Sequence, residues 1–197
     1  MNLGMADNVT LHEHASDFQI LLEKAEFTDQ KGNSLNYENG INKNLKTLRS
    51  LRDGSGSLFL IGNGGSAAVV SHILTDFINV AGLKARTLHE SSLITCMGND
   101  YGYEHVFSQP LSVLAQKNDL LMAVSSSGNS LNIHNAVKRM KEIGGEIITL
   151  SGFESSNPLR AMGNLNIWID SKNYGQVEIA HLFYLHYISE QLDLKRK

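Results

Sequence analysis

The spacing of apolar positions changes character partway along the chain. Over residues 9–31, Phe18, Leu21, Leu22 and Ala25 recur at intervals of three and four, the spacing of one helix face. Lys31-Gly32-Asn33 interrupts that pattern. A second helical segment spans 35–51 and is stopped by Asp53-Gly54-Ser55-Gly56. From Ser57 the texture is different. Ser57-Leu58-Phe59-Leu60-Ile61 is a nearly unbroken apolar run, as a parallel strand buried on both faces requires. Residues 85–88, 120–124, 146–150 and 165–169 read as further strands. Helical segments alternate with them at 67–81, 91–97, 104–116, 130–143 and 156–161, and a last helix covers 176–193. This alternation predicts an α/β fold with a parallel sheet covered on both faces and ligands held at the carboxyl ends of its strands. The chain reads as one domain, 1–197, with leading helices in 1–55 and the α/β core in 56–197. The leading helices belong to no βα unit, and the last helix is apolar around most of its circumference. Both features point to packing against another subunit.

Composition narrows the function. A chain of 197 residues with 42% hydrophobic and 19% charged residues suits a globular domain with a full core. The net charge of −3 argues against a nucleic-acid-binding surface. Cys96 is the only cysteine, so no intrachain disulfide forms, and a lone thiol fits a reducing, cytoplasmic setting. The start MNLGMADNVTLHEH lacks a basic region followed by an apolar run, so no signal peptide is expected. No stretch reaches the roughly 18 apolar residues of a membrane span.

Two strand-to-helix junctions carry anion-binding chemistry. In Gly62-Asn63-Gly64-Gly65-Ser66 the glycines let backbone approach a ligand, and the helix start that follows offers free N–H groups. An ordinary tight turn would look the same. Gly62, Gly64 and Ala67 also match the dinucleotide pattern G-x-G-x-x-A, but the acidic residue that pattern wants is late, at Glu90. The second junction, Ser125-Ser126-Ser127-Gly128-Asn129-Ser130, sets four hydroxyls and a glycine between a buried strand and an amphipathic helix. That suits a phosphate monoester better than a bridging pyrophosphate.

The helix at 67–81 is apolar except for a stripe of His72, Thr75, Asp76 and Asn79 at spacings of three and four. A histidine and a carboxylate at i, i+4 can share a metal or a proton, and a solvated helix face has the same pattern. The last helix places Glu178, His181 and His186 among apolar residues, where such groups need partners.

The glycine loop with His72 and Asp76, the segment Met97-Gly98-Asn99-Asp100-Tyr101-Gly102, the serine loop and the Glu178/His181/His186 helix occur in the order seen in sugar isomerase (SIS) domain proteins. The chain most resembles the sedoheptulose 7-phosphate isomerases, or phosphoheptose isomerases, over nearly its whole length. The resemblance implies a three-layer sandwich around a five-stranded parallel, flavodoxin-like sheet, preceded by two helices. It implies a homotetramer with sites shared between subunits. It assigns phosphate binding to Ser66, Ser125, Ser126, Ser127 and Ser130, and sugar contacts to Asn63, Gly64, Gly65, Asn99, Asp100 and Glu178. It assigns catalysis to Asp76 and His186, and a possible zinc to His72, Asp76, Glu178 and His186.

Three positions depart from the family pattern. Asp76 stands where glutamate is usual, Glu178 where glutamine is usual, and Gly175 where aspartate is common. Two imidazoles and two carboxylates are a reasonable zinc set. However, Glu178 and His186 lie eight residues apart, about 12 Å along one helix. They reach one ion only from an irregular helix start or from different chains. The implied reaction is aldose–ketose isomerisation through an enediolate, yielding a heptose 7-phosphate for surface polysaccharide. Related SIS proteins act instead as sugar-phosphate sensors or as a DnaA-associating replication initiation factor, so a non-catalytic role is the alternative.

Overall fold

The computed structural model describes residues 9–193. The segment 1–8, on which the expectation of no signal peptide partly rests, lies outside them. The chain opens with α1 (Leu11–Glu23), β1 (Glu26–Asp29), β2 (Ser34–Leu35) and α2 (Tyr37–Asp53). A capping box starts α1: the Glu13 amide donates to Thr10 Oγ1 at 3.2 Å, and the Thr10 amide donates to the Glu13 carboxylate at 2.8 Å. The helical pattern over 9–31 therefore ends earlier than its spacing suggests. Four residues, Glu-Phe-Thr-Asp, are too few to show a strand period, and here an available sheet edge decides their state. Asp29 then closes the turn to β2 by accepting the Lys31 and Asn33 amides at 2.8 and 2.9 Å.

The α/β core follows as β3 (Leu58–Ile61), α3 (Gly64–Asn79), β4 (Ala85–Thr87), α4 (Ser91–Tyr101), a 3₁₀ turn (Tyr103–His105), α5 (Ser108–Leu114), β5 (Leu120–Ser125), α6 (Leu131–Ile143), β6 (Glu146–Ser151), a 3₁₀ turn (Pro158–Ala161), β7 (Leu165–Trp168) and α7 (Tyr174–Gln191). The sheet has seven strands rather than five, ordered β2-β1-β7-β6-β5-β3-β4. The five expected strands pair in parallel, and β1 and β2 extend the β7 edge antiparallel. Counted alone, the parallel strands run 2-1-3-4-5, the flavodoxin-like order, with its switch point between β3 and β5.

Successive strand residues feed opposite cores. Leu58, Leu60, Met122 and Val124 join the core under α2, α3 and α7, while Phe59, Ile61, Leu121 and Ala123 join the one under α5 and α6. Phe27 fixes the added strands: it is 1% exposed and packs edge-on against Tyr37, with ring centroids 5.3 Å apart. Truncating this ring leaves a cavity that β1 cannot collapse into. Phe27→Ala is expected to cost about 3–5 kcal/mol, read from urea unfolding curves.

One face of α7, with Val177, Ala180, His181, Tyr184, Leu185 and Ile188, is buried. The other is not, since Ile179, Phe183 and Tyr187 are exposed in the single chain. His181 anchors the buried face by donating from Nε2 to the Ser151 carbonyl at 3.2 Å, while its Nδ1 has no hydrogen-bond partner. Burial pushes its pKa down from 6.5 to about 4. The unfolded chain takes up this proton near its ordinary pKa and the folded chain refuses it, so stability rises with pH across that window and is complete above it. Urea unfolding should show a loss of about 2 kcal/mol between about pH 7.5 and about pH 5, and the part of that slope due to His181 should vanish in His181→Gln.

Candidate active site

The switch point places two helix N-termini side by side. The glycine loop leaves β3 into α3, and the serine loop leaves the neighbouring β5 into α6. Neither N-cap residue, Asn63 or Ser130, uses its side chain to cap its helix, and in α6 the Ile133 amide alone of the first turn is occupied, by Asn132 Oδ1 and the Ser130 carbonyl. Between the loops lies a cavity of about 350 Å³ lined by Asn63, Gly64, Gly65, Ser66, Ser125, Ser126, Ser127, Ser130, Tyr174 and Glu178. It gathers most of the residues assigned to binding.

The hydroxyls converge. Ser66 Oγ and Ser126 Oγ are 3.5 Å apart, and Ser125 Oγ and Ser130 Oγ are 3.4 Å apart. The serine loop is held in shape from below. His134 Nε2 donates to the Gly128 carbonyl at 2.8 Å, and the Gly128 amide donates to the Ser125 carbonyl at 3.0 Å. Gly128 has φ +64°, and a Cβ there would collide with the Asn157 side chain, so no other residue fits.

Glu178 answers for Gly65. Its carboxyl group lies where a Cβ on residue 65 would stand, so this glycine makes room for a side chain from α7. The carboxylate thus sits at the positive end of the α3 dipole, a place that favours negative charge. Of the two junctions read as anion sites, the glycine loop already faces a carboxyl group of the protein's own.

Farther along the same helices, His186 Nδ1 and Asp76 Oδ2 are 2.9 Å apart, with side chains 35% and 30% exposed. The His72 ring stands edge-on to His186, with centroids 5.1 Å apart. Because Gly65 meets Glu178 and Asp76 meets His186, α3 and α7 run side by side in the same direction. The pair lies about 15 Å up α3 from Ser66.

Two expectations change. Asn99 and Asp100 do not line the cavity. Helix α4 continues to Tyr101 and carries them on its exposed surface, where Asn99 Nδ2 donates to Asp100 Oδ1 at 2.8 Å. The four zinc candidates do not converge either. His72, Asp76 and His186 cluster, but Glu178 is two turns away on α7 and faces Gly65. Among the described residues no group of three or more His, Cys, Asp or Glu side chains is disposed to hold an ion. The donors of one chain therefore do not fit a zinc site.

The sequence left Tyr174 unmarked, since a lone aromatic at a helix start carries no motif. It lines the cavity mouth and stacks edge-on with Phe153, centroids 4.7 Å apart. A larger cavity of about 520 Å³ lies at the opposite end of the strands, lined by Lys43, Lys46, Lys117, Asp119 and Glu146 among others. It sits by Gly144 at the C-terminal end of α6, where the helix dipole disfavours an anion.

Known proteins are similar to this chain in sequence and fold. The SIS domain family matches residues 28–152. A phosphoheptose isomerase of Campylobacter concisus is 33% identical, aligned over 73% of this chain and 78% of the relative. One of Mycobacterium tuberculosis is 34% identical over 69% and 72%. The structure of a phosphoheptose isomerase from Neisseria gonorrhoeae superposes with a TM-score of 0.78 at 25% identity, covering 93% of this chain and 98% of that one. One from Francisella tularensis has the same fold, with a TM-score of 0.80 at 23% identity over 93% and 95%. The chain belongs to the SIS domain family and, within it, to the phosphoheptose isomerases.

Proposed function

We propose that the chain converts sedoheptulose 7-phosphate to D-glycero-D-manno-heptose 7-phosphate through an enediolate, supplying heptose for surface polysaccharide. One observation carries the reading: the two helices whose first turns wall the serine cavity also carry the Asp76–His186 pair. The serine loop holds the phosphate through its hydroxyls and the free amides of α6. Asp76 removes a proton from C1 of the ketose. His186 takes the O1 proton and supplies one to O2, and Asp76 returns its proton to C2, leaving an aldehyde at C1. No proton or electron is gained or lost overall. Asp76 Oδ2 and His186 Nδ1 already stand 2.9 Å apart, so the two groups are side by side before substrate arrives.

The span supports a long sugar. Eight bonds separate phosphorus from C1 in an extended heptulose 7-phosphate, about 10 Å at roughly 1.2 Å of advance per bond. Adding a contact of about 3 Å at each end gives about 16 Å. That is close to the helix rise from Ser66 to Asp76, about 15 Å. A four-carbon phosphate falls short.

The exposed stripe Ile179, Phe183 and Tyr187 supports a four-chain assembly that covers α7, with Asn99 and Asp100 turned toward a neighbouring site. The exposed, unpaired Cys96 supports a reducing compartment, the cytoplasm. No helix of the described residues is long and apolar enough to cross a membrane.

An isomerase assay on sedoheptulose 7-phosphate tests the reading. Asp76→Asn should lower kcat by about 10²–10⁴ and leave KM nearly unchanged. Near wild-type turnover in that variant removes Asp76 as the base. Ser126→Ala should weaken binding of the phosphorylated sugar about tenfold and leave unphosphorylated sedoheptulose unaffected. Equal losses for both sugars would show that the loop does not hold phosphate. Tight binding without turnover in the unaltered chain would point to a sensor.

A further inference from the structure

Backbone pairing between β3 and β5 stops at Ile61 and Ala123, short of both loops. Beyond that point, among the described residues, side chains set the spacing of the glycine and serine loops. One link is the 3.5 Å approach of Ser66 Oγ to Ser126 Oγ, two groups that a phosphate would draw onto itself. The other is a reciprocal amide pair. Asn63 Nδ2 donates to Asn132 Oδ1, and Asn132 Nδ2 donates to Asn63 Oδ1, each at 2.9 Å.

The direction of these bonds is fixed. The Ile133 backbone N–H, which can only donate, points at Asn132 Oδ1 from 2.9 Å. That atom is therefore the oxygen, and Asn63 must present its NH₂ to it. Asn63 Oδ1 accepts a second hydrogen bond from the Tyr103 hydroxyl at 3.2 Å, which fills both of its lone pairs. One Asn63 amide hydrogen is all this side chain has left for a sugar.

The clasp joins three segments. Asn63 opens the glycine loop, Asn132 follows Ser130 by two residues, and Tyr103 follows Asn99 and Asp100 across Gly102. Asn135 Nδ2 ties the same turn to α6 again by donating to the Glu104 carbonyl at 3.0 Å. Asn132 is 3% exposed and does not line the cavity, so it serves the site only through Asn63.

We propose that Asn132 is a positioning residue that holds the glycine loop against the serine loop at the separation that lets Ser66 and Ser126 close on one phosphate. This rests on the reading of the serine loop as the phosphate site. With the clasp gone, the loops separate beyond the end of the ladder and the hydroxyls no longer share one ligand. Asp76 and His186, on the bodies of α3 and α7, keep their geometry.

Asn132→Leu, nearly isosteric and without polar atoms, is the test. Its Kd for inorganic phosphate and its KM for sedoheptulose 7-phosphate should each rise about tenfold, while kcat stays within about twofold. Asn63→Leu should show the same loss of phosphate affinity. The double variant should be no worse than either single one, since both break one clasp. Unfolding curves on the same samples separate affinity from stability. A folded Asn132→Leu protein with wild-type phosphate affinity overturns the proposal, as does a double variant whose losses multiply. If Asn132→Leu does not fold, Asn63→Leu breaks the clasp from the half-buried side, and unchanged phosphate affinity there overturns it equally. The phosphate measurement needs no turnover. A chain that binds phosphate through the clasp yet never isomerises the sugar refutes the enzymatic reading and leaves this one standing.

Discussion

The parallel pairing of β3 with β5 is the constraint from which the site descends. These strands are separated in sequence by α3, β4, α4 and α5, and their adjacency reverses the strand order. Because the two run in the same direction, both release their chains at one end of the sheet. Each then enters a helix, and the two helices turn away to opposite faces. What remains between them is a cleft floored by backbone amides, which neither helix can satisfy internally. The serines, the glycines and the asparagine clasp elaborate that cleft. Helix α7, lying along α3, adds the carboxylate at one level and the histidine at another.

The electrostatics of the cleft follow from that layering. In the proposed reading, a phosphate dianion and the Glu178 carboxylate are drawn to different helix N-termini. The glutamine usual in the family is neutral at this position, so the exchange adds a charge beside the anion site while preserving the shape of the side chain. Like charges in a partly shielded cleft repel, and the amides and hydroxyls of the serine loop must outweigh that repulsion. The shorter Asp76 is a change of reach rather than charge, and its 2.9 Å approach to His186 shows that the helices already stand close enough to accommodate it.

Much of this was legible from residue order. Continuous apolar runs such as Leu58–Ile61 are what a strand buried on both sides needs, and glycine and serine junctions mark where such strands deliver their chain. The two candidate loops were readable because glycine and serine clusters at strand ends are local features. The antiparallel pair β1 and β2 was not, because its state comes from the open edge of β7, more than a hundred residues away. Nor was the role of Gly65, whose missing side chain serves Glu178. Asn132 carries no motif, since its meaning lies in a side chain brought beside it by the sheet. The exposed half of α7 shows a further limit: an all-round apolar helix reads the same whether its second face meets the chain's own core or another surface.

The added edge also governs how copies of the chain can meet. β2 contributes two residues and β4, at the other end of the sheet, contributes three. Edges this short offer too few unpaired amides and carbonyls for a second sheet to extend the ladder. Growth by strand addition, the route to open-ended fibres, is closed at both ends. Contact between copies is left to helix surfaces, where packing of side-chain ridges favours a limited set of crossing angles and closes into finite, symmetric assemblies. The two strands hidden in the leading segment thus give the sheet a blunt end, while the apolar face of α7 stays uncovered in the single chain.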